Sequence, residues 1–423
     1  MHILKSKWFA IFFAVSTSVV TEAAVITVGQ GGKYDYETIQ EAVWTANHGD
    51  EIIVAPGVYS TAWNNVVVDT YGKSIWLHSS QGPSVTIIDG KNKFRGVRCQ
   101  NNESEDTQIS GFTIRNCNAD GGGGILLDHS SPTISNCVLM NNQSRESYYH
   151  TASGGAIYCN ASSAVISECS FVGNYAEYNG GAIYNKNFSS PTITNCSFEG
   201  NNSLKGGAIC NSSSSDAIIT DCSFQNNSAS FYGGAVYLLD YCSVTMTNCS
   251  VLYNSSDISG GGAYVQGGIL SVDQCVFNQN YSNNSGGAGI SINNGTSVIA
   301  QSEFRDNYAP YGAGVNIEGA SSVVSIGDSF FCGNFVDHVS GNWNDTGLNE
   351  FYSGCDQGAC CTNDTCVPID QKTCLYVAGE FQGLGILCED VICPTDCLGD
   401  LNGDDIVNVT DLLEIISAWG SCP

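Results

Sequence analysis

Basic residues are scarce in this chain of 423 residues: 14 Lys and Arg stand against 41 Asp and Glu, a formal net charge of −27. A surface of that sign repels phosphate backbones and anionic lipid, so nucleic acid and membrane surfaces are excluded as partners. It also repels polyanionic polysaccharides unless calcium bridges the charges. Proline is rare, at 8 residues, and so is methionine, at 3. The six histidines (His2, His48, His78, His129, His150, His338) are scattered along the chain. Beyond the first two dozen residues no apolar run approaches the roughly 20 residues a membrane helix needs. At the start, Lys5 and Lys7 precede an apolar run from Trp8 to Val15, broken by Ser16, Thr17 and Ser18, and Thr21-x-Ala23 has the small residues of a cleavage site. Residues 1–23 therefore read as a secretory signal, and the mature chain as exported, without a transmembrane segment.

What the chain has in abundance is glycine, 48 residues, and cysteine, 21. The glycines keep time. Gly154-Gly155-Ala156-Ile157, Gly180-Gly181-Ala182-Ile183 and Gly206-Gly207-Ala208-Ile209 are copies of one tetrad, with looser copies starting at Gly122, Gly233, Gly261, Gly287 and Gly312. A second motif shares the beat: Phe171-x-x-Asn174, Phe198-x-x-Asn201, Phe224-x-x-Asn227, Phe277-x-x-Asn280, Phe304-x-x-Asn307 and Phe331-x-x-Asn334, with Val251 in place of Phe before Asn254. Self-similarity at about 26 residues is the mark of a stacked repeat whose units bury their apolar faces only against one another.

One unit shows the winding. After Gly180-Gly181, Ile183 and Asn185 alternate with Tyr184, the period of two of a short strand with Ile183 inward and Tyr184 outward. Thr192-Ile193-Thr194 and Cys196-Ser197-Phe198 read as two further strands. Strands this short pair only with the coils above and below, in parallel sheets about 4.8 Å apart. Like residues then stack in files: Ile157, Ile183, Ile209 and Val236; the phenylalanines; the asparagines; and Cys117, Cys137, Cys169, Cys196, Cys222, Cys249 and Cys275, continued by Ser302 and Ser329. The asparagine file suits side-chain amides that satisfy turn backbone groups. The replacement of Cys by Ser follows a packing slot rather than ligand chemistry, though stacked Cα atoms fall within disulfide range.

The expected fold is all-β: a right-handed parallel β-helix over 24–345. An amphipathic helix in Tyr36 to Ala46, with Ile39, Ala42, Val43 and Ala46 on one stripe, would plug its open end. Nine cysteines from Cys355 to Cys422 mark a disulfide-stapled module over 346–394 and a segment at 395–423; as nine is odd, one is left to pair with Cys332 or to stay free.

The paired glycine tetrad and FxxN motif resembles the repeats of the chlamydial polymorphic membrane proteins, and more broadly the right-handed β-helices of the pectate-lyase-like superfamily. Those membrane proteins end in a β-barrel, and nothing here reads as one. Lyases of that superfamily imply a basic residue beside acidic calcium ligands. Between 120 and 340 the basic residues are Arg145, Lys186, Lys205 and Arg305, each in a different register. Asp128-His129, followed by the insertion around Arg145 to His150, is the remaining catalytic candidate. Aromatics form a second candidate site: Tyr158, Tyr184 and Tyr237 in one outward register, with Tyr178, Tyr232 and Tyr311 in the loops before the glycine pairs. Such side chains either hold an extracellular glycan or a surface protein, or pack on each other.

At the C-terminus, Asp400, Asn402, Asp404, Ile406 (through its carbonyl), Asn408 and Asp411 occupy positions 1, 3, 5, 7, 9 and 12 of a calcium loop, and Leu412 to Trp419 has the stripe of a helix. This single EF-hand-like loop-helix resembles one half of a type I dockerin, which implies calcium as cofactor and a cohesin-like partner. Dockerins carry two such segments. The combined expectation is a secreted or cell-surface β-helix, non-catalytic, that binds a glycan or protein; the rival is an extracellular polysaccharide lyase or glycosidase.

Overall fold

The computed structural model describes residues 23–352 apart from 62–64, 146–151 and 240, together with Gly354, Cys355 and the backbone of three strands beyond them. The signal segment and the calcium loop lie outside the described residues. From Val25 the chain winds into parallel sheets of 13, 12, 11 and 6 strands, termed I, II, III and IV. Each coil runs III, I, II and then, in the middle of the molecule, IV; the unit after Gly181 gives Ile183–Lys186, Thr192–Thr194, Ser197–Glu199 and Asn202–Lys205. Sheet III has one strand per coil, so the solenoid makes about eleven turns. Sheet IV, whose strands are as short as Tyr175–Ala176, was not foreseen from the sequence.

Coil-to-coil register is strict. Ile157 pairs with Ile183, Ile183 with Ile209 and Ile209 with Val236, all fully buried. The phenylalanine file stacks nearly face to face, at ring centroid distances of 4.7 Å for Phe171–Phe198 and Phe198–Phe224. Both glycines of the pair are required. Gly180 has φ +60°, where a side chain is strained, and a Cβ on Gly181 would lie 2.2 Å from the Gly207 carbonyl of the next coil.

The structure shifts three assignments. In the Gly260-Gly261-Gly262-Ala263 run the left-handed glycine is Gly260, not Gly261, because Ala263 pairs with Val236 and so takes the isoleucine place. Cys117 leaves the cysteine file: its amide donates to Asn142 Oδ1 (3.1 Å), which puts it at the head of the asparagine file, while the residue beside Cys137 is Phe112. Sheet II also runs on to Glu350–Tyr352, past the expected boundary at 345, and the Cys332–Cys355 disulfide ties that end down.

One helix is present among the described residues, Ile39–Thr45. Thr38 caps it, accepting from the Glu41 amide and donating to the Glu41 carboxylate (2.7 Å), and Ile39, Ala42 and Val43 are buried in the core. Beyond the solenoid, Gln357–Thr362 pairs antiparallel with Thr365–Asp370 and Glu380–Leu384.

Candidate functional site

The asparagine file is closed to ligands. Asn227 Oδ1 accepts from the Asn201 amide (3.0 Å) and from Asn201 Nδ2 (2.9 Å), while its own Nδ2 donates to the Phe198 carbonyl (2.9 Å) and to Asn254 Oδ1 (2.9 Å). The pattern repeats from Asn142 to Asn334, where Nδ2 turns to the Phe304 carbonyl and His338 Nδ1. Every polar atom is used inside the fold.

The outward tyrosines of sheet III are less exposed than their alternation implies. Tyr184 and Tyr237 are 7% and 1% exposed, and with Cys210 and Tyr264 they form a compact cluster. Tyr158 packs on Tyr184 (5.3 Å) and Tyr232 on Tyr264 (4.5 Å). Burial raises the Tyr184 phenol well above its ordinary value, and its hydroxyl bonds Ser212 Oγ (2.8 Å). Tyr178 is half-buried; Tyr311, 62% exposed, alone of the six stands clear. An exposed aromatic row lies elsewhere, where Tyr281, Tyr308 and Phe335 stack on one another beside sheet IV. The alternation rule could not separate these cases, since it gives the face of a strand and not what packs on it: Tyr232, at the end of a sheet IV strand, lies against Tyr237 and Tyr264.

Asp128 and His129 do meet. Asp128 Oδ1 accepts from Asn160 Nδ2 (2.6 Å) and lies 2.9 Å from His129 Nδ1, leaving Nε2 turned away from the carboxylate. His129 has φ +52°, an uncommon conformation for a residue with a side chain. The basic residues are engaged or apart: Arg145 lies over the Tyr175 ring, Lys205 over Tyr237, and Arg305 pairs with Glu303. No group of three His, Cys, Asp or Glu side chains among the described residues could hold a metal ion.

An open groove of about 680 Å³ runs along the bend from sheet I to sheet II. One amide or carboxylate residue per coil lines it, Asn136, Glu168, Asn195, Asp221, Asn248 and Gln274, all six held at positive φ, with Ser170, Ser197, Ser223 and Ser250 beside them. Each of the six directly precedes a member of the cysteine file. No Lys, Arg, His or aromatic residue lines the groove.

The right-handed beta helix region family matches residues 155–331, and the Chlamydia polymorphic membrane protein repeat matches 136–160. Curated protein sequences give no match. Among solved structures, a mannuronic acid specific polysaccharide family 6 lyase from human gut microbiota is 12% identical, with 73% of this chain and 82% of that chain covered and a TM-score of 0.39. The A-module of mannuronan C-5 epimerase AlgE6 from Azotobacter vinelandii is 14% identical (74% and 92% covered, TM-score 0.37), and pectin methylesterase from carrot is 14% identical (76% and 82%, TM-score 0.26). Likeness at that level carries none of these activities to this chain.

Proposed function

We propose that this protein is an exported, non-catalytic β-helix that holds an extended neutral glycan along the groove between sheets I and II. The repeat of the groove carries the reading. It offers one amide or carboxylate per coil, at a rise of about 4.8 Å, to a polymer that repeats its hydroxyls along its own length. The net charge of −27 disfavours a polyanion. The absence of any basic or imidazole group from the groove supports binding without turnover. A surface location agrees with the polymorphic membrane protein repeat. In this reading the helix Ile39–Thr45 plugs the first coil. Asp400, Asn402, Asp404, Ile406, Asn408 and Asp411 bind calcium in a dockerin-like attachment segment for a cohesin-like partner. Tyr311 remains a further contact for glycan or protein.

A glycan array with neutral and acidic polymers tests this. Retention of a neutral glycan, lost when Asn195→Ala and Asn248→Ala are combined, is the expected result; binding unchanged by that double substitution sinks the groove. The second reading, a lyase or glycosidase, rests on the Asp128–His129 pair. It predicts unsaturated products absorbing at 235 nm, or reducing ends, that vanish in His129→Ala.

A further inference from the structure

The cysteine file holds six consecutive thiols, Cys137, Cys169, Cys196, Cys222, Cys249 and Cys275, one per coil, and all stand free. They sit one residue before residues paired in register, Val138 with Ser170, Ser170 with Ser197, Ser197 with Ser223, Ser223 with Ser250 and Ser250 with Val276. Successive coils meet at the sulfurs: the Cys169 amide donates to Cys196 Sγ (3.4 Å) and the Cys249 amide to Cys275 Sγ (3.3 Å). The slot itself does not call for sulfur. Ser302 fills it with a shorter bond to the carbonyl two residues back (2.6 Å) than Cys196 makes to Thr194 (3.2 Å), and its hydroxyl accepts from the Cys275 amide as Cys275 accepts from Cys249. A hydroxyl is the better partner for these backbone groups, so six sulfurs in succession point to chemistry that oxygen lacks.

The same solenoid already bridges adjacent coils through sulfur. Cys332 and Cys355 are disulfide-bonded with their Cα atoms 4.8 Å apart, the separation of neighbouring strands. The groove between sheets I and II opens onto five of the six residues, giving a small oxidant a path to side chains that are otherwise buried.

We propose that the thiol file is an oxidation site in which adjacent coils are cross-linked as Cys137–Cys169, Cys196–Cys222 and Cys249–Cys275, the pairing of neighbours that uses all six. Each bridge forms when a thiolate attacks a small-molecule disulfide. The second thiol of the pair, as its thiolate, then displaces the captured half, so two protein thiols become one disulfide and the oxidant leaves as two thiols. Both electrons pass to the oxidant. Stacked Cβ atoms start near the strand spacing of about 4.8 Å, just outside the usual 3.5–4.5 Å, so the coils must close slightly. Bridges of this kind are readily reduced, and the file is reversible. Hydrogen bonds from neighbouring thiols lower Cys137, Cys196 and Cys249, one in each pair, below the ordinary thiol value, which makes these three the attacking members.

The test uses the full chain, folded and separately during refolding, with oxidised glutathione as the probe. Remaining thiols are alkylated in denaturant and disulfide-linked peptides are mapped by mass spectrometry. Three linked peptide pairs with the stated partners, each lighter by two hydrogens and each restored by mild reduction, are expected. Cys196→Ser, a replacement already present at Ser302 and Ser329 of the same file, should leave Cys222 as a thiol while the other two bridges persist. Alkylation of all six thiols after both treatments overturns the proposal. So does a bridge from the file to any cysteine beyond Cys332, or retention of a bound metal in place of the bridges.

Discussion

The asparagine file and the cysteine file run through the same coils, one on each side of sheet II, and they make different demands on the residues that fill them. At the asparagine turn each side chain must accept twice and donate twice, as Asn227 does between Asn201 and Asn254. An amide is the side chain of that size that can do so. At the bend between sheets I and II the slot asks for one acceptor and one donor, and both Ser and Cys meet it, as Ser302 and Cys275 show. The number of hydrogen bonds demanded at a turn thus sets how far its residue can vary.

The contrast breaks most sharply at Asn227→Ala. Loss of its amide strands the Asn201 donors and the Phe198 carbonyl in a dry interior, and stability to denaturant should fall by about 3 kcal/mol. A milder case lies on sheet III, where Asn185 and Asn211 face the core: Asn185 Nδ2 bonds Asn211 Oδ1 (2.9 Å), but Asn185 Oδ1 and Asn211 Nδ2 have no partner. Replacing both by Leu, which occupies the same place at Leu127 and Leu238, should leave stability unchanged or raise it by about 1 kcal/mol in the same denaturant measurement. Cys222→Ser should shift the midpoint by less than about 1 kcal/mol under reducing conditions, since oxygen serves that slot elsewhere.

The smallest effect is a pH dependence at the end of the asparagine file. Burial lowers the His338 pKa below its ordinary 6.5, and its Nδ1 accepts from Asn334 Nδ2 (3.1 Å), which requires the neutral ring. The unfolded chain therefore takes up a proton first, so stability is full above about pH 6.5 and declines as pH falls below it. Thermal melts from pH 7.5 to 5 should show a fall in midpoint that His338→Gln flattens.

Much of this arrangement was legible in the chain itself. The glycine pairs, the phenylalanines and the asparagines fixed the coil length and the parallel stacking, because each is held by a local demand: a left-handed turn, a flat ring against its copy, an amide on a backbone. Cys117 was misplaced because it stands 20 residues before Cys137, and only strand pairing reveals that this coil carries Phe112 at the bend. Asn142 was missed for the related reason that Leu139, not Phe, precedes it. Tyr184 and Tyr237 were assigned the correct face but the wrong exposure, since alternation reports the side of a strand and not what a neighbouring coil lays over it.

Sequence alone thus determined the repeat, the sheet faces and the residues that stack, all set by interactions within a coil and with its copy one turn away. Tertiary structure decided which outward side chains reach solvent, where sheets I and II open into a groove, and that five of the six thiols line it. Those properties depend on how whole coils lie on one another, and no single repeat contains them.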